Sequence, residues 1–119
     1  MARDHRKLDT FQIADELAVM MYRFTASFPP EERYGLQSQL RRASVSVAAN
    51  IVEGCARDGE GDFLRFLDIA FGSARELIYL ISLAKRLGFI ESEAATRVEE
   101  LGRRTAAALA ALKKSIRRP

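Results

Sequence analysis

Three interruptions govern what this 119-residue chain can fold into. Phe28-Pro29-Pro30, Asp58-Gly59-Glu60-Gly61 and Leu87-Gly88-Phe89 divide it into four segments, each with apolar residues at helical spacing. The residue before a proline is driven out of the helical region, which ends the first segment near Phe28. Pro30 suits the first turn of a following helix, and Glu31 and Glu32 suit its positive amino end. Leu87-Gly88-Phe89 has the form of a glycine C-cap with an apolar residue after it, and Ser92 suits an N-cap. The pattern predicts helices at about 10–27, 31–56, 60–87 and 92–116, and nothing reads as a strand. Ile13, Leu17, Met20, Phe24 and Phe28 stripe the first helix; Val98, Leu101, Ala108, Leu112 and Ile116 stripe the fourth. Short connections between long helices make neighbours antiparallel. The expected fold is therefore all-α, an up-down-up-down four-helix bundle forming one domain over 1–119.

The second and third helices carry more apolar surface than one such bundle needs. In "LRRASVSVAANIVEG" (40–54), Leu40, Ala43, Val47 and Ile51 form one stripe, while Val45, Ala48 and Val52 form another on roughly the opposite side. The third helix is apolar around about half its circumference, whereas facing a single core takes a stripe a little over about 100° wide. Exposed apolar patches of this size mark partner surfaces. The expectation is self-association through Val45, Ala48, Val52 and the outer side of the third helix, including Phe71. The competing reading makes the third helix the most buried element of a monomer.

Between the two stripes runs a polar seam. Arg42, Ser46, Asn50 and Glu53 share one helical edge, and the third helix contributes Ser73 and Glu76. Partnerless buried polar groups cost about 1–3 kcal/mol each, so such groups find one another. An Arg42–Glu76 pair bridged by Asn50 or Ser73 fits the spacing. The seam reads as a network that sets register between helices or subunits, with a small-molecule site as the alternative.

Recognisable catalytic patterns are missing. A di-iron bundle needs Glu-x-x-His pairs on two helices, and the one histidine is His5. One Cys and one His do not make a zinc site. Gly54-Cys55-Ala56-Arg57-Asp58-Gly59 has P-loop glycine spacing, but Glu60-Gly61 stands where Lys-Ser/Thr is required. No metal, no cofactor and no enzymatic activity are expected. A lone Cys55, a charged amino-terminal stretch without an apolar run behind it, and no run long enough to span a bilayer point to the cytoplasm and no membrane.

The net charge is +3, with 15 arginines among 19 basic residues. Arginine favours bidentate pairing with carboxylate or phosphate. In an up-down-up-down bundle the two chain ends meet. Arg3, Arg6 and Lys7 then lie near Lys113, Lys114, Arg117 and Arg118, with Arg57 as a possible addition. No aromatic residue accompanies the tail charges, so any RNA or DNA bound there is held by its phosphates. The alternatives are solvated tails and a protein-only interaction scaffold.

"LQSQLRRASVSVAANIVEG" (36–54) followed by "FLRFLDIAFGSARELIYLISLAKRLGFI" (63–90) resembles the bacterial four-helix-bundle proteins encoded in intervening sequences of 23S rRNA genes. The matching elements are Gln39-Leu40-Arg41-Arg42-Ala43, Ser46, Asn50-Ile51, Glu53-Gly54, Phe66-Leu67, Ala70, Gly72-Ser73 and Glu76-Leu77. Relatives are similar to the accessory protein of diversity-generating retroelements, a barrel-shaped homopentamer with a basic surface that partners a reverse transcriptase and binds nucleic acid. The resemblance implies a four-helix bundle in a ring-like homopentamer, and a nucleic-acid-related partner, either reverse-transcriptase-like or linked to ribosomal RNA. It implies no established activity. Gly59, where relatives often carry a helix-capping Ser, and Gly61 depart from the pattern and loosen the expected start of the third helix.

Overall fold

The computed structural model describes residues 2–117, with the side chains through Ile116. Four helices, α1 (Asp9–Thr25), α2 (Leu36–Cys55), α3 (Glu60–Arg86) and α4 (Ser92–Arg117), account for most of the chain. No strand is present among the described residues. α1 packs on α2, α2 on α3, α3 on α4 and α4 on α1, while the diagonal pairs stay apart. The result is an all-helical body of 47 × 22 × 20 Å, compatible with a four-helix bundle.

Each boundary has a local cause. Gly88 takes φ +77°, the left-handed conformation that glycine enters without a Cβ penalty. The Phe89 amide then donates to the Ala84 carbonyl at 3.0 Å and the Gly88 amide to Lys85 at 3.1 Å, closing α3. Phe89 is thereby aimed at Phe28, with ring centroids 5.8 Å apart. The second helix begins later than its sequence suggests. Pro30–Glu32 forms a single 3-10 turn, and α2 starts only at Leu36. The reason lies in Glu32. Its carboxylate leaves the short turn and accepts the Leu36 amide at 3.0 Å, capping α2 from outside. A Cβ on Gly35 would come within 2.9 Å of that carboxylate, so glycine keeps the cap in place.

The core runs the length of the body in two halves. Leu17, Met21, Phe28, Leu36, Leu40, Leu77, Ile81 and Val98 build one. Val47, Ile51, Cys55, Phe63, Leu67, Ala70 and Leu109 build the other, with Leu8 from the beginning of the chain and Ile116 from its end packed against it. α3 and α4 are further tied by buried Glu99, which lies 3.4 Å from Lys85 and 3.8 Å from Arg103.

α2 comes close to α3 at Gly54. A methyl group there would stand 3.0 Å from the Phe66 Cβ and 3.1 Å from the Phe63 ring. Around Gly72, in the interior of α3, the same addition meets nothing within 4 Å. Gly54→Ala is expected to destabilise the fold by about 1–3 kcal/mol through overpacking. Gly72→Ala should stabilise α3 by about 0.5–1 kcal/mol by removing a flexible residue. Urea unfolding of the two variants at matched concentration checks both signs; a Gly54→Ala protein as stable as wild type would mean that α2 and α3 part without cost.

Candidate functional site

The polar seam joins α2 to α3 through hydroxyls. Ser46 Oγ and Ser73 Oγ lie 2.9 Å apart. Asn50 Nδ2 donates to the Ser46 carbonyl at 2.8 Å and to Ser46 Oγ at 3.0 Å. Ser46 Oγ thus meets both the Asn50 amide and the Ser73 hydroxyl. All three residues are half-buried. A short neutral network of this kind fits only one register of the two helices, because sliding either helix separates the hydroxyls.

Glu53, Arg42 and Glu76 stand outside this network. Glu53 turns to Arg57, just past the end of its own helix, 2.9 Å away. Arg42 and Glu76 form no ion pair with each other. Both are exposed, and a solvent-facing pair gains too little to hold two long side chains together. They line a pocket of about 750 Å³ on the outer side of α2, together with Tyr22, Val45, Ser46 and Ser73.

The candidate interface residues divide between two faces. Val45, 42% exposed, lies on the outer side of α2, and Ala48 and Val52 are half-buried. Phe71 does not share Val45's face. It packs toward α4 beside Ala106 and Ala110, and Lys113 Nζ sits 4.6 Å over its ring. The reason is angular: Phe71 is two residues from Ser73, so it projects to nearly the opposite side of α3. Ile69, one turn from Ser73, is the exposed apolar residue on the α2 side, also at 42%.

Basic residues from both chain ends gather at the half of the core that takes Leu8 and Ile116, but several are already engaged. The Arg3 amide donates to the Cys55 carbonyl at 2.7 Å, and its guanidinium lies 4.2 Å over the Phe63 ring. Arg6 forks onto Asp4 through Nε at 2.9 Å and Nη2 at 3.0 Å. Arg57 pairs with Glu53 and lies over Phe66. Lys113 Nζ is 2.7 Å from Asp68. Lys7 and Lys114 are exposed and make no ion pair among the described residues. The Arg117 side chain and Arg118 lie outside the described residues. Burial raises the pKa of the Cys55 thiol, so it stays protonated and inert at neutral pH. Among the described residues no three His, Cys, Asp or Glu side chains are grouped to hold a metal, and no helix is long and apolar enough to cross a membrane.

A second basic cluster escapes the sequence. Arg41 Nε donates to the buried Thr25 hydroxyl at 2.8 Å and Nη2 to the Tyr22 carbonyl at 3.3 Å, which sets its guanidinium 4.6 Å over the Tyr22 ring. These residues lie on different helices, 16 and 19 positions apart. The only linear hints are Arg33-Tyr34 and Arg41-Arg42 standing close together.

This geometry defines a small all-α protein of the four-helix kind, with its polar groups at helix seams and open surface troughs. Its sequence matches the family of the 23S rRNA-intervening sequence protein over residues 6–111. The chain belongs to that family. Its structure is similar to that of a protein of unknown function from the S23 ribosomal protein family of Bacteroides thetaiotaomicron, with a TM-score of 0.80 and 24% identity. The alignment covers 88% of this chain and 98% of that one, and the likeness is one of fold. No curated protein matches the sequence.

The Asp4–Arg6 fork makes a direct test of how far the chain-end charges are occupied. Arg6 holds the Asp4 carboxyl down, first by its side-chain hydrogen bonds and then by its backbone amide, from 3.8 to about 2. A carboxyl depressed on folding contributes stability above its unfolded value of 3.8 and loses it as pH falls through about 2. NMR titration should place the Asp4 midpoint near 2 in the wild type and return it toward 3.8 in Arg6→Ala. A wild-type midpoint already at 3.8 would mean that Arg6 is free.

Proposed function

We propose that this protein is a non-catalytic, cytoplasmic adaptor: an antiparallel up-down-up-down bundle that closes into a ring of identical subunits and binds nucleic acid, or a nucleic-acid enzyme, through its basic chain-end pole. Lys113 against Asp68 with Lys85 against Glu99, and Ser46 against Ser73 with Gly54 against Phe66, support the alternating directions of α2, α3 and α4. Two unlike apolar faces support a ring. Val45, Val52 and Ile69 make one; a trough of about 300 Å³ between α3 and α4, lined by Phe71, Ile78, Ala107 and Ala110, makes the other. A head-to-tail contact joins two different surfaces and closes when its rotation divides a full turn. The resemblance to retroelement accessory proteins suggests five subunits and a reverse-transcriptase-like or ribosomal-RNA-related partner.

The observation that carries the nucleic-acid reading is the packing of Leu8 and Ile116 on one half of the core, which gathers the basic residues of both ends. A ring repeats that pole around its axis and multiplies its local potential. The carboxylates on Arg6, Arg57 and Lys113 favour the second reading, a scaffold that binds protein alone.

Two measurements separate these readings. Val45→Glu with Val52→Glu, and Ala107→Glu with Ala110→Glu, should each reduce the native mass to a single chain. Mixing the two variants should yield a two-chain complex and nothing larger, because each retains one intact face. Unchanged mass in both would remove the ring. In parallel, binding of RNA and duplex DNA should fall steeply with salt, and replacing Lys7, Lys114, Arg117 and Arg118 by Ala should flatten the log–log slope by about 0.7–0.9 per lost phosphate contact. An intact oligomer that binds neither at low salt leaves the protein-only scaffold.

A further inference from the structure

We propose that the trough between the end of α1 and the beginning of α2 is a binding site for single-stranded nucleic acid, separate from the chain-end pole and independent of it. The trough has a volume of about 580 Å³, and its floor includes Phe28, which belongs to the half of the core away from the chain ends. Three arginines line it, Arg33, Arg41 and Arg42, and no carboxylate does. The nearby Glu32 carboxylate is turned onto the Leu36 amide and forms no ion pair with these arginines. Arg33 and Arg42 make no ion pair among the described residues, so both are available to phosphate.

Two tyrosines supply what the chain ends lack. Tyr34 is 88% exposed and Tyr22 48% exposed, large rings left in water. Each has an arginine against one face: Arg33 at 5.7 Å from the Tyr34 centroid and Arg41 at 4.6 Å from that of Tyr22. A ring with a cation on one side and solvent on the other is a platform for an unpaired base, and arginines around it track the phosphates. Arg41 is set in advance, because Thr25, completely buried, holds its Nε while donating its own proton to the Met21 carbonyl at 2.8 Å. A duplex keeps its base faces stacked inside and offers the tyrosines nothing. The site therefore selects strands whose bases are unpaired. Val45 and Ser46 lie beyond it on α2, so the subunit contact proposed above and this trough use successive stretches of one helix.

The test measures anisotropy of labelled ten-nucleotide oligouridylate, oligodeoxyuridylate and a ten-base-pair duplex with the full-length protein at low salt. Either single strand should bind more tightly than the duplex, and the tighter of the two names the sugar preferred. Tyr34→Ala should weaken single-strand binding about tenfold, whereas Tyr34→Phe, which keeps the ring, should not. Arg33→Ala with Arg42→Ala should weaken it and reduce its salt dependence. These side chains are exposed, and circular dichroism should confirm that the variants remain folded. The proposal falls if Tyr34→Ala binds as wild type while the chain-end variant loses binding, which would assign the strand to the other pole. It also falls if neither single strand binds, or if a poly-glutamate peptide competes fully while remaining indifferent to Tyr34→Ala, the mark of a plain anion site.

Discussion

The approach of α2 to α3 at Gly54 is the contact from which the remaining geometry follows. Without a side chain there, Phe63 and Phe66 seat directly against the α2 backbone, and α3 lies close enough along its length for Ser46 to reach Ser73. Dispersion and apolar burial at the phenylalanines do not care about register to within a fraction of a turn; hydrogen bonds do. The two kinds of interaction divide the labour. Gly54 sets how near the helices come, and the Ser46–Ser73–Asn50 network sets how far along one another they sit. That register also brings Arg42 and Glu76 to the outer side of α2, where Tyr22 of α1 joins them.

Charge in this protein is organised more by local pairing than by net excess. At the chain-end pole, Asp4, Glu53 and Asp68 each hold a basic residue that a linear count would treat as free. The arginines near the α1–α2 connection are governed differently. Arg41 is held by neutral groups, a hydroxyl and a carbonyl, so its charge is positioned but not cancelled. Positioned and uncancelled charge is what an anionic partner can use; a pole rich in lysine and arginine can be electrostatically quieter than a smaller cluster whose arginines are not paired to carboxylates.

The helices, the Gly88 cap and the apolar stripes were legible in the sequence, because each depends on neighbours within a turn or two. What escaped depends on contacts that do not. The start of α2 was missed because Glu32, a good first-turn residue by type, serves as a cap from outside the helix once the chain bends at Gly35. The Arg42–Glu76 pair was expected from spacing alone, and spacing carries no information on exposure. Grouping Phe71 with Val45 followed from apolarity without its direction around α3. The Arg41–Thr25–Tyr22 arrangement spans two helices, and no periodicity within either one reveals it.

The seat of the amino-terminal segment has a consequence of its own. The Arg3 amide is bonded to the Cys55 carbonyl, Arg3 covers Phe63, and the thiol beneath is 1% exposed. That thiol, the chain's single cysteine, sits in the core with Val47, Ile51 and Phe63 at the end where the amino-terminal segment is bonded. Its rate of alkylation then reports how often this end of the core opens, and comparison with the rate of global unfolding tells whether the opening is local. Any partner that grips the chain ends would register at Cys55 as a slower or faster reaction, giving the protein an internal gauge for events at its own terminus.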